Sequence, residues 1–169
     1  MQLIQAQTLA AAAPNVNFSN IPQTYSHLFL IFTTRSDYSG FYTQLAIQLN
    51  GDTGANYDGE HLYGTGGAVK ASADVTATYA HLLAIPAANA TANCPASATI
   101  WIPNYGDTTF FKIIITHNGT FVQLGNSNAN LTENLASLWR STAAINQITL
   151  FPTQNSNFVA GSIFSLYGT

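Results

Sequence analysis

The stretch LNGDTGANYDGEHLYG, Leu49 to Gly64, gathers Asp52, Asp58 and Glu60, three of the chain's seven acidic residues, with His61 directly after them. Such a group has a short list of chemical uses. Alternating oxygen ligands hold calcium. Two carboxyl groups facing across a cleft hydrolyse glycosidic bonds. A histidine with suitable partners binds a transition metal. The remaining use is structural, because Asp and Asn side chains satisfy backbone groups in turns.

The calcium pattern fails in its regular form. Counted from Asp52, the sixth residue is Tyr57 and the twelfth is Tyr63, where a regular loop needs Gly and a bidentate Glu. An irregular ion site in the Asn50–Glu60 loop stays open, since oxygen-rich loops can recruit calcium. Paired-carboxylate hydrolysis needs the acids on opposite walls, and these three share one local segment. Asn50-Gly51 and Asp58-Gly59 are turn dipeptides, which favours the structural use.

The other chemistry-bearing residues are scattered. His27, His61, His81 and His117 form no i, i+4 zinc pair, and Cys94 is the single cysteine. His27 and His81 sit in apolar segments, where a hydrogen-bonded structural histidine is expected. There is no Gly-x-Ser-x-Gly elbow, and GTGGAVK lacks both the spacing and the Ser or Thr of a phosphate loop. The expectation is a protein that is not an enzyme, with no catalytic residues, no metal and no cofactor. Asn17, Asn89, Asn118 and Asn130 lie in sequons, as an Asn- and Thr-rich chain produces by chance. Tyr38, Phe41, Tyr42, Tyr57, Tyr63 and Tyr105 lie near turns, as aromatic plugs of a sandwich or as contacts for glycan or protein.

The elements that would position these residues have a period of two. YSHLFLIFTTR reads as a buried strand, and FYTQLAIQLN sets Leu45, Ile47 and Leu49 on one face. SATIWIPN alternates Thr99, Trp101 and Pro103 against Ile100 and Ile102. FFKIIITHNG predicts a strand stopping at a hairpin turn, Asn118-Gly119, with TFVQLGN returning as its partner. INQITLFP and FVAGSIFSLYG are the last strands, the latter with Phe164 and Leu166 on the face of Ser162. Leu3 to Leu9, Asn15 to Ser19 and Thr78 to Ile85 are shorter candidates. NLTENLASLWRSTAAI reads equally as a short helix or an irregular strand. Tyr63 to Thr76 and Pro86 to Ser97 read as loops. The sum is an all-β, jelly-roll-like antiparallel sandwich of roughly eight to ten strands. It forms a single domain over residues 1–169, with residues 1–20 as a candidate N-terminal arm.

Charge narrows the partners. Only 7% of residues are charged, against 47% apolar, and the formal net charge is −3. Arg35, Lys70, Lys112 and Arg140 are widely spaced, so no basic patch exists to neutralise phosphates, and nucleic acid is discounted. No segment has the apolar length of a membrane span. The start, MQLIQAQTLAAAAPNV, has no cation and is interrupted by Gln, unlike a secretory signal. A surface poor in charge suits burial against other protein, because ion pairs are costly to desolvate.

Three stretches carry a resemblance: QTLAAAAPNVNFSNIPQTYSHLFLIFTTRS (Gln7 to Ser36), LNGDTGANYDGEHLYG, and LWRSTAAINQITLFPTQNSNFVAGSIFSLYGT (Leu138 to Thr169). Together they resemble small β-rich virion proteins and domains of tailed bacteriophages, along nearly the whole chain. The final block is the most specific. The resemblance implies a structural role in the virion. A chain consisting of one domain with no shaft points to a capsid decoration (cement) protein on the capsid exterior. Its expected partners are the major capsid protein and two further copies in a homotrimer. The alternative is a tail or fibre module that recognises a host surface glycan or protein.

Overall fold

The structure, a computed structural model, describes residues 1–125 and 130–169. Among them there is no helix; twelve strands form two antiparallel sheets. The large sheet has eight strands in the order β1 (Gln2–Thr8), β12 (Ile163–Gly168), β3 (His27–Thr34), β8 (Ala96–Pro103), β9 (Lys112–Thr120), β10 (Leu131–Trp139), β5 (Tyr57–Thr65) and β6 (Ala68–Ala77). The small sheet has four, in the order β2 (Val16–Phe18), β11 (Ile148–Pro152), β4 (Tyr42–Leu49) and β7 (Ala80–Pro86).

The all-β sandwich is the predicted class, with twelve strands instead of eight to ten. Alternation decides which side chains go inward. Leu28, Leu30 and Phe32 of β3 and Ile100 and Ile102 of β8 are buried from the large sheet, facing Leu45, Ile47 and Leu49 of β4. The last strand turns Phe164 and Leu166 inward, as expected, and Phe164 packs on Phe158 with ring centroids 4.8 Å apart. Residues 1–20 contribute β1, which pairs with β12, and β2, which pairs with β11.

Two local expectations are corrected, and one open alternative is decided. Asn118-Gly119 does not turn the chain. Both residues lie inside β9, opposite Glu133 and Thr132 of β10, and Phe121 to Gly125 form no strand. The dipeptide's turn preference yields to two flanking strands that pair continuously through it. Of the two readings of NLTENLASLWRSTAAI, the strand holds: Leu131–Trp139 forms β10, since Glu133, Leu135, Ser137 and Trp139 alternate inward, and the residues after Trp139 lie outside it. Finally, Tyr63 to Thr76 is not a loop. It closes β5 and makes up all of β6 but Ala77, the two linked by Gly66-Gly67, a two-residue hairpin connection of the kind Gly-Gly favours.

The two sheets differ in width, and that creates the molecule's one-sided edge. The eight-stranded sheet ends in the hairpin β5–β6, and β7 is the last strand of the small sheet. Packing between the sheets on this side joins β7 to β10, β9 and β5. Strand β6 lies outermost, and most of it is exposed.

Candidate functional site

The acidic stretch separates into four distinct environments. Asp52 is a turn node. Asn50 and Gly51 both have positive φ, 53° and 69°, the conformation that Asn-Gly adopts at low cost. Asp52 Oδ1 then accepts the Gly54 N–H at 2.8 Å, and Oδ2 accepts Asn56 Nδ2 at 2.9 Å and Trp139 Nε1 at 2.7 Å. Burial pushes this carboxyl's pKa up, but the bonds from Trp139, Asn56 and Gly54 outweigh it and hold it below the usual value. Tyr57, fully buried beside it, accepts the Leu49 N–H at 3.0 Å. Burial drives its phenol to about 12.

Asp58 faces the other side of the sheet. It pairs with Arg140 at 2.8 Å and accepts the Thr76 N–H at 2.8 Å. Thr76 has a φ of 52°, unfavourable for a β-branched residue. It sits where the register between β5 and β6 shifts, passing from Tyr57 opposite Ala77 to Gly59 opposite Asp74. Asp58 therefore holds the bulge that sets Asp74 on the inner side. Glu60 is exposed.

His61 points inward and meets residues that local spacing does not connect. Its Nε2 lies 3.1 Å from Asp74 Oδ2 of β6, and the same oxygen lies 2.6 Å from His81 Nδ1 of β7. The three ligating atoms fall within 4.8 Å of one another. Among the described residues this is the group of three able to hold a metal ion. Burial pushes the His61 pKa down, against the pull of Asp74, so the ring is neutral at pH 7. Asp52, Asp58 and Glu60 do not join the group.

Sequence reading named His61 and His81 but not their meeting, and it missed Asp74 altogether. The signal was Gly66-Gly67. Read as a hairpin link, it would have placed the residues near Asp74 beside those near His61.

Two surfaces complete the inventory. On the outer side of the large sheet a continuous register row runs Leu3, Tyr167, Phe29, Trp101, Ile115 and Ala136 across six strands. Phe29 stacks on Trp101 with centroids 6.3 Å apart. Among the described residues, the charged side chains that alternation puts on this face are Asp58 and Glu60. On the outer side of the small sheet an open groove of about 840 Å³ is lined by uncharged residues, including Gln48, Tyr79, Phe151, Gln154 and Asn157.

The cations are largely committed to structure. Arg35 donates to the carbonyls of Ala87, Ala90, Thr91 and Cys94 and so organises the loop after β7. Lys112 is buried and donates to Phe110 and Thr142 carbonyls. Burial lowers its pKa.

No protein-family model matches the chain, and no curated protein does. Among solved structures, it is similar to a double mutant of alginate lyase Aly36B in complex with an alginate tetrasaccharide. That match has 10% identity and a TM-score of 0.32, covering 97% of this chain and 79% of the other. A second double mutant of the same lyase, with an alginate trisaccharide, gives 9% identity and a TM-score of 0.30 over 97% and 80%. At such values the likeness assigns this chain neither a fold family nor a substrate.

Proposed function

We propose that this protein is a structural component of a bacteriophage virion, a capsid decoration protein that binds across capsomers as a homotrimer and stabilises the head shell without chemistry. The observation that supports it most is the outer face of the large sheet. A sheet face normally exposed to water carries charged and polar residues. Here an apolar and aromatic row crosses six strands, with Ile31, Ile113 and Ile163 exposed beside it. Contiguous apolar surface of this kind marks a protein interaction site. Its scarcity of charge keeps desolvation cheap. The resemblance of the three sequence blocks to phage virion proteins supplies the partner, the major capsid protein. A closed cyclic trimer would avoid unending association.

The test adds purified protein to capsids from which it is missing, at low and high salt, and measures occupancy and rupture temperature. Stoichiometric attachment that changes little with salt, with a raised rupture temperature, is the expected result. Trp101→Glu on the outer row should abolish attachment while the variant stays folded. Absence of binding to capsids would overturn the reading.

The groove on the small sheet favours the second reading, a tail or fibre module that binds a host surface glycan. Amides, hydroxyls and two aromatic rings, with no charge in the lining, suit a neutral sugar. Tyr79 and Phe151 meet edge to face, 5.5 Å apart. Binding to host cells that Tyr79→Ala removes, without capsid binding, would establish this reading instead.

A further inference from the structure

We infer that His61, Asp74 and His81 form a divalent transition-metal site, taking Zn²⁺ by preference, that clamps the β5–β6 hairpin to the edge of the small sheet. The inference stands on the inner edge of the sandwich and does not depend on the outer face.

Four observations carry it. First, the donor set is two imidazole nitrogens and one carboxylate oxygen, from three strands and both sheets. Calcium and magnesium want oxygen alone, whereas this set suits zinc with water completing the shell. Second, the spacing is close to what an ion needs. Tetrahedral ligands at about 2.1 Å from zinc stand roughly 3.4 Å apart. Here two of the separations are 3.1 Å and 2.6 Å. Opening the shorter one exchanges the His81–Asp74 hydrogen bond for two metal bonds and releases the shared proton.

Third, His61 Nε2 is shut off from solvent and makes no hydrogen bond, although Asp74 stands beside it. A buried polar atom without a partner is uncommon and asks for a reason. A metal ion on that nitrogen supplies one. Fourth, the space around that nitrogen is kept open by Gly59, which pairs directly with Asp74. A Cβ at Gly59 would lie 2.9 Å from His61 Nε2. Gly59 has no positive φ to account for it. An ion would enter from the side of Asp74 and His81, whose side chains are 31% and 23% exposed.

The clamp has a clear mechanical sense. Strand β6 is an outer strand held by β5 alone in the ladder, so the Asp74 link is its tie to the opposite sheet. An ion joining all three strands would replace a single hydrogen bond with a fixed junction.

The experiment titrates Zn²⁺, as the chloride, into chelator-treated full-length protein. Heat of binding and thermal unfolding are read together. The expected result is one ion per chain, a raised unfolding temperature, and no comparable effect of Mg²⁺ or Ca²⁺. His81→Gln and Asp74→Asn should each weaken binding at least tenfold and remove the thermal shift, while His117→Gln, on a histidine outside the cluster, should leave both unchanged. If Asp74→Asn fails to fold, His81→Gln, on a part-exposed ring, carries the test alone. Lack of one-to-one binding, or binding that survives His81→Gln, or binding lost in His117→Gln, overturns the inference.

Discussion

Asp52 and Asp74 are both partly buried carboxylates with nitrogen neighbours, yet they are used in opposite ways. Asp52 accepts bonds from Gly54, Asn56 and Trp139, the first two from its own turn. All are neutral N–H donors that can do nothing but donate. Asp74 faces two imidazoles, His61 from its ladder neighbour β5 and His81 from β7 of the opposite sheet, and His61 Nε2 makes no hydrogen bond. Imidazole can give up a proton and turn its lone pair to a metal. The difference teaches that a carboxylate surrounded by its own turn is already spent. One assembled across strands keeps chemistry in reserve.

The comparison breaks first at Asp52, where the largest effect is expected. Asp52→Ala would leave the indole N–H of Trp139 without its partner, and Trp139 is only 2% exposed. An orphaned buried donor costs about 1–3 kcal/mol, which denaturant unfolding would measure. Trp139→Phe removes the same N–H while keeping most of the packing. The two changes should therefore couple in a double-mutant cycle by about 0.5–3 kcal/mol. Strict additivity would show that Asp52 serves its turn and not Trp139.

The same contrast explains what the sequence made legible. Asn50-Gly51 was readable because its turn is local: the left-handed φ values and the Asn50 bonds to Ala144, Asn146 and Gln147 confirm a corner that the dipeptide predicts. Asn118-Gly119 is the same dipeptide in strand β9, where ladders with β8 and β10 on both sides override the preference. The buried strands were legible from alternation, as in Leu28, Leu30 and Phe32. The edge strand β6 was not, because AVKASADVTA has few large apolar residues to mark a period. With β6 read as a loop, Asp74 had no address, and the cluster with His61 and His81 stayed hidden. The outer row from Leu3 to Ala136 was equally unreadable, since it exists only once register is set between six strands.

Glu133 sharpens the comparison with a third kind of carboxylate. It lies inside β10, 7% exposed, and its Oε2 accepts the Ala84 N–H and Asn118 Nδ2, each at 2.9 Å. Burial raises its pKa, and those two bonds only partly offset the rise. His61, Tyr42 and Tyr63 are the titratable groups sharing its small cavity. A carboxyl whose folded pKa is raised binds its proton more tightly when folded. Stability should therefore grow as pH falls from the raised value toward 4.5, the ordinary one. Glu133→Gln removes that gain, and at pH 7 it also removes a buried charge. The variant should be more stable than the parent at pH 7, with the gap closing toward pH 4.5. The acid losses of Asp37 and Asp52, whose pKa values are lowered, occur in both proteins and cancel in the difference. A gap independent of pH would mean that Glu133 binds its proton equally well folded and unfolded, so that burial does not raise its pKa.

The smallest effect belongs to Asp58, the carboxylate that supports the cluster from the opposite face. Its partner Arg140 reaches both oxygens, at 3.1 Å and 2.8 Å, and the two side chains are 27% and 31% exposed. Partly exposed pairs contribute about 0.2–1 kcal/mol, and salt weakens them further. Asp58→Asn keeps an oxygen for the Thr76 N–H and loses only the charge, so its cost should lie in that range and shrink in high salt. Asp58→Ala removes both and frees Thr76 from the left-handed conformation that the bulge requires. The Ala variant should therefore also disturb Asp74, seen as altered imidazole resonances of His61 and His81 in an NMR spectrum, whereas the Asn variant should not. Equal spectra for the two variants would show that the bulge holds itself and that Asp58 has no part in placing the cluster.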